Sequence, residues 1–142
     1  MSFCIDITYH ICYNIIDEKG DTEMYDVIFY SDSKGNEPIA EFINALHKKS
    51  HADKNSRINF NKIIAYINLL SKKGSRIGEP VTKHLDGDIW ELRPLDNRVL
   101  YAYYKNNTFI LLHHFIKKTK KLPQKELEQA KRNLADFIER ND

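Results

Sequence analysis

Apolar residues recur along this chain with two different periods, and the switches between them mark its elements. Phe3, Ile5, Ile7, Tyr9, Ile11, Tyr13 and Ile15 repeat every second residue, as in a strand with one buried face. After Met24, Tyr-Asp-Val-Ile-Phe-Tyr predicts the first strand of a compact domain. The period then lengthens. Ile39, Phe42, Ile43 and Leu46 fall on one helical face, with Asn44 and His47 toward the other. Pro38 opens this helix in the first turn, where its missing N–H costs little. Beyond a polar break from Lys48 to Asn55, Ile58, Ile63, Ile64, Ile67 and Leu70 predict a longer helix. It stops at Lys72-Lys73-Gly74, since cations suit a helix C-terminus and glycine suits the residue after it.

From Pro80 the period returns to two. Strands are expected at Val81–Leu85, Ile89–Arg93, Arg98–Lys105 and Thr108–Ile116. The turns between them are Asp86-Gly87-Asp88, Pro94 to Asn97 and Asn106-Asn107. A last helix starts at Pro123, with Leu127, Ala130, Leu134 and Ile138 inward. The order predicts an α+β fold: an antiparallel meander with two N-terminal helices and a C-terminal helix against one face. Residues 1–23 are expected to be an N-terminal extension or an additional strand, with Met24 as the usual start and 24–142 as the domain.

A length of 142 residues suits one such domain with a modest core. No run of about 18 apolar residues predicts a membrane span, and no basic segment leading into an apolar one predicts a secretory signal. The two cysteines, Cys4 and Cys12, lie together at the N-terminus, which suits a reduced, cytoplasmic protein. With His10 between them they still fall short of four ligands at zinc spacing, so no metal or other cofactor is expected. The net charge of +2 hides an asymmetry. Residues 1–23 carry Lys19 against five acids, leaving 21 bases and 15 acids for the rest. A basic body suits a polyanionic partner, although a solvated lysine-rich surface has the same composition.

The positions of the cations narrow this. Arg93 and Arg98 flank one turn, so they are neighbours, and two guanidiniums repel unless an anion lies between them. That anion is either a structural carboxylate, Glu91 or Asp96, or an RNA phosphate held by the guanidinium fork. Lys117, Lys118, Lys120, Lys121 and Lys125 follow the last strand before the first acid, Glu126. Of these, the run from Lys117 to Lys121 makes either a basic linker or an RNA-binding segment. Strand alternation puts Leu111, His113, Phe115 and Lys117 on one face and Ile110, Leu112, His114 and Ile116 on the other. One histidine should therefore face the site and the other should pack inward, and either is a candidate general acid or base. Tyr101 and its neighbours Tyr103 and Tyr104 are half-buried strand residues or base-stacking platforms.

Three segments in this order carry a family resemblance: Ile89-Trp90-Glu91-Leu92-Arg93, Arg98-Val99-Leu100-Tyr101, and Leu112-His113-His114-Phe115-Ile116-Lys117-Lys118-Thr119-Lys120-Lys121-Leu122-Pro123. They resemble the RelE/ParE toxin superfamily, with the HigB-type, phage-derived branch nearest, from about Met24 onward. The resemblance implies a RelE-like fold and a bacterial, cytoplasmic type II toxin. Such a toxin is neutralised by a helix-turn-helix antitoxin of the HigA type, usually as a heterotetramer, and meets operator DNA only through that antitoxin. It further implies a ribosome-dependent mRNA endonuclease, or mRNA interferase, acting on mRNA in the 70S ribosome without a metal. The 2′-hydroxyl of one nucleotide attacks its own 3′-phosphate and leaves a 2′,3′-cyclic phosphate. Arg93, Arg98, Lys117 and Lys118 would stabilise the phosphate, His114 or His113 would exchange protons, and Lys83, Lys120, Lys121 and Tyr101 would bind RNA. The Glu91 position often holds a base elsewhere in the superfamily, which leaves the general base unassigned. Two other activities remain open: a ParE-like gyrase poison acting by protein contact, and a non-catalytic RNA-binding module.

Overall fold

A computed structural model describes residues 25–142; the alternating N-terminal stretch, with Cys4, His10 and Cys12, lies outside the described residues. The elements run β1 (Asp26–Phe29), α1 (Pro38–Lys49), α2 (Lys54–Lys73), a short 3-10 turn (Gly74–Ile77), β2 (Thr82–Asp86), β3 (Ile89–Leu92), β4 (Asn97–Tyr104), β5 (Thr108–Ile116) and α3 (Gln124–Asn141). The five strands form one sheet in the order β1-β5-β4-β3-β2. β2 to β5 are the expected antiparallel meander, and β1 pairs with β5 in parallel, so the sheet is mixed.

The helices do not share one face, contrary to expectation. Ile39, Ile43, Phe60, Ile63, Ile67 and Leu70 of α1 and α2 close over Leu92, Val99, Tyr101, Phe109 and Leu111. Leu127, Ala130 and Phe137 of α3 close over Ile89, Leu100, Ala102, Ile110, Leu112 and Phe115 on the opposite side. The physical reason lies in the strands: β4 is buried on both faces, so each face needs its own cover. Asn44, expected on the outer face of α1, is also buried, and the ring of His47 packs at 4.6 Å on Phe60. Ile58, expected inward, is exposed.

Helix ends follow the local chemistry. The Gly74 N–H caps α2 on the carbonyl of Leu70, with φ of 67°. A Cβ there would meet the Tyr25 ring at 2.9 Å, so both conformation and space call for glycine.

A bulge in β5 decides which side chains reach the α3 face. Leu100 of β4 pairs with His113 and Tyr101 pairs with Leu111, so Leu112 is an extra residue. Alternation resets there. Leu111 stays under α1 and α2, while His113 and Phe115 move to the α3 face opposite Leu100 and Arg98. The expected grouping of Leu111 with His113 and Phe115 fails for this reason.

Candidate functional site

The register places Lys83, Glu91, Leu100 and His113 in one row across four strands on the α3 face. One row along lie Arg93, at the exit of β3, and Arg98 opposite Phe115. Glu91 is 3% exposed and stands between the two arginines. Its Oε1 lies 3.6 Å from Arg93 Nε, and its Oε2 lies 3.7 Å from Arg98 Nε. The shared anion between the guanidiniums is thus this carboxylate.

The two arginines differ in what remains free. Arg98 is buried, and its Nη1 donates to the carbonyls of Leu95 at 2.7 Å and Asn97 at 2.8 Å. It holds the Pro94–Asn97 turn, in which Leu95 takes a left-handed φ of 60°. Burial pulls Arg98 below its ordinary pKa and Glu91 opposes that pull, so its role is to neutralise a buried carboxylate and brace a turn. The Arg93 side chain is about a quarter exposed, with Glu79 3.8 Å away on its solvent side. Arg93 can therefore offer a guanidinium edge to a ligand, and Glu91 aims it.

The two histidines separate as adjacent strand residues should, with His113 rather than His114 on the α3 face. The His114 ring stacks on Phe42 at 3.9 Å, and its Nε2 bonds Asn97 Oδ1 at 3.1 Å. Burial first, and the neighbouring His113 second, push its pKa down to about 4. It is neutral at physiological pH and takes part in a polar chain with Asn97 and Asn59, whose side chains bond at 2.9 Å. His113 instead meets Glu126 of α3, with Nε2 2.6 Å from Oε1 and both side chains about one-fifth exposed. The bulge sets His113 on the α3 face, while His114, packed on Phe42, also lines an open groove at the β5 exit.

Tyr101 is fully buried under α1 and α2, and its hydroxyl shares a 2.6 Å bond with that of Thr82. Burial pushes its pKa up to about 12. A ring with no exposed face cannot stack on a base, so this expectation fails. Lys83, Lys118, Lys120 and Lys121 are exposed and Lys117 is half-buried, its N–H donating to the Asp96 carbonyl at 2.8 Å. The end of β5 therefore abuts the arginine-bearing turn. Lys118 and Lys125 line an open groove of about 490 Å³ with His114, Phe115, Pro123 and Glu126, between the β5 exit and the first turn of α3. Sequence reasoning missed Glu126 and Lys125 as site residues. The signal was available: Glu126 is the first acid after the lysine run and falls in the first turn of the helix that follows it.

The family model for the phage-derived protein Gp49-like family (DUF891) matches residues 41–135, well over half of the chain. The chain belongs to the Gp49-like family. This is a toxin-like family of the RelE/HigB type. The match runs from α1 into α3 and includes every element that builds the site. No curated protein matches the sequence. No described helix of this Gp49-like protein is long and apolar enough to cross a membrane.

Proposed function

We propose that this Gp49-like protein is the toxin of a type II toxin–antitoxin pair and that it cuts mRNA on the ribosome. The observation that carries the reading is the Arg93 guanidinium, aimed by a buried Glu91 at the same sheet end as Lys83, Lys117 and Lys118. RNA needs no external nucleophile, because its 2′-hydroxyl can attack the adjacent 3′-phosphorus. The 2′-O–P bond forms, the P–O5′ bond breaks, and the products are a 2′,3′-cyclic phosphate and a 5′-hydroxyl. What the protein must add is positive charge around a phosphorane that carries more charge than the starting diester, together with orientation of the attacking oxygen.

Arg93 suits the first task, since its fork matches two phosphate oxygens and its position is fixed before substrate arrives. Lys83, Lys117, Lys118, Lys120 and Lys121 suit the flanking phosphates, as flexible point charges. Arg98 contributes indirectly, by holding Glu91 in place. An antitoxin of the HigA type would silence the protein by covering these cations with an acidic segment or by blocking ribosome entry.

The direct test uses purified protein with 70S ribosomes programmed with a short mRNA. Products ending in 2′,3′-cyclic phosphate, absent with Arg93→Ala, support the reading. Intact mRNA with wild-type protein refutes it. Growth arrest with intact mRNA and rising DNA damage would mark a gyrase poison instead.

A further inference from the structure

Leu95 has an unusual backbone and an unusual exposure, in the turn between the two arginines. Among the described residues, three that are not glycine take a left-handed conformation: Leu95 at φ 60°, Asn106 at 62° and Asn107 at 56°. Asparagine tolerates that conformation because its short side chain bonds locally, whereas leucine has no such compensation. The turn is held from several sides. Arg98 Nη1 donates to the carbonyls of Leu95 at 2.7 Å and Asn97 at 2.8 Å. The Asn97 N–H donates to the Pro94 carbonyl at 3.0 Å, and the Lys117 N–H to that of Asp96 at 2.8 Å. All this bracing presents a side chain to solvent, since Leu95 is 45% exposed. A buried arginine thus fixes a surface leucine in a backbone state that asparagine or glycine would take more readily, and such outliers gather at functional sites. The surroundings say what the leucine meets. Arg93 lies two residues before it, and Lys117 is bonded to the residue after it. Ile116, paired with Asn97 across the sheet, is a second exposed apolar side chain at this end. The cations suit phosphates, and an RNA strand that lays its phosphates there also brings bases, whose flat faces accept apolar contact.

We propose that Leu95 contacts the RNA substrate, its side chain lying on the face of a nucleobase that flanks the phosphate held by Arg93. This rests on the endonuclease reading given above. A base held there ties down its ribose and limits the directions from which the 2′-hydroxyl can approach phosphorus. Leucine makes no hydrogen bond to a base edge, so the contact requires a base without selecting its identity. A leucine that served only the turn would be replaced by asparagine with no loss of cleavage.

The test measures kcat/KM on programmed ribosomes for wild type, Leu95→Asn and Leu95→Met, each with a thermal melt. The substrates are an intact mRNA and mRNAs with an abasic ribonucleotide on one or the other side of the cut, which keeps the 2′-hydroxyl and lacks only the base. Leu95→Asn should melt no lower than wild type, because asparagine accepts the left-handed backbone. It should nonetheless cut intact mRNA about 10-fold less efficiently, the loss expected when about half a leucine side chain is no longer covered. Leu95→Met keeps an apolar side chain and should recover most of that loss. Removing the base on one side should slow wild type by a similar factor and Leu95→Asn hardly further, as for two partners in one contact. Losses that instead multiply to about 100-fold would place Leu95 against the ribosome and overturn the assignment. So would full cleavage by Leu95→Asn, or a melt well below wild type, which would make the leucine a packing residue. Wild-type protein that cuts nothing would overturn the endonuclease reading and this assignment together; a cutting wild type with multiplying losses overturns this assignment alone.

Discussion

The face of the sheet under α1 and α2 and the face under α3 are built from different materials. Under α1 and α2, isoleucines from two helices meet Leu92, Val99, Phe109 and Leu111, and two polar pairs lie among them, Tyr101 with Thr82 and Asn97 with Asn59. Under α3 the apolar patch is bordered by charge. Glu91 and Arg98 are buried there, and α3 is tied down along its length by polar bonds. Glu126 meets His113, Lys131 meets Asp86 at 2.5 Å, Asn133 donates to the Leu112 carbonyl, Asp136 accepts from Tyr30 at 2.5 Å, and Asp142 meets Tyr104 and Lys105. The comparison teaches that the two faces are held by different means: one by buried apolar surface, the other by a buried carboxylate between two guanidiniums, where the proposed chemistry sits.

The sharpest way to break this division is at Arg98. Arg98→Ala leaves Glu91 buried against only one guanidinium and should cost about 3–5 kcal/mol in denaturant unfolding, with loss of the Pro94–Asn97 turn. Replacing Glu91 and Arg98 together with Leu and Met should return most of that stability and none of the cleavage. On the other face, Ile67→Ala opens a cavity at a fully buried position and should cost about 2–5 kcal/mol, while the protein still folded cuts normally. Cleavage abolished in folded Ile67→Ala protein would erase the distinction.

Histidine 114 gives a pH test. Its folded pKa, about 4, lies below the ordinary 6.5, so the unfolded chain takes up the proton first. Stability from this group is fully present above pH 6.5 and is lost as pH falls toward 4, on the order of 3 kcal/mol in total. His114→Gln should flatten that stretch of the melting profile. The smallest effect belongs to Tyr101→Phe, which loses one hydrogen bond, about 1 kcal/mol, and should leave RNA cleavage unchanged. In the wild type the Tyr101 phenol should resist ionisation until pH about 12, with stability falling as pH climbs from 10 toward that value.

Much of this was legible in the residues. The period of two predicts Thr108–Ile116 with both of its observed ends, and α2 ends at the Lys72-Lys73-Gly74 stop signal. These are local signals, set by period and by end chemistry. The pairing of β1 beside β5 and the split of the helices over two faces are long-range outcomes that no local period encodes. The candidate site divides in the same way. The proximity of Arg93 and Arg98 followed from one turn, and Glu91 was one of two carboxylates foreseen between them. Strict alternation puts His113 on the same face as Leu111, because an extra residue in β5 leaves no mark in a pattern of continuous apolar residues. Tyr101 looked like its neighbours Tyr103 and Tyr104 in sequence, yet Tyr103 is half exposed and Tyr101 not at all.

The measurement that bears most directly on the central claim is a map of mRNA 5′ ends after brief induction of wild type and of Arg93→Ala. Arg93→Ala leaves Arg98 and its turn in place beside Glu91, so it should destabilise the protein less than Arg98→Ala does, and its fold is checked by a thermal melt. The account predicts new ends inside translated codons with wild type, reduced by about 10²-fold or more in folded Arg93→Ala. New ends that persist undiminished in that variant would contradict it.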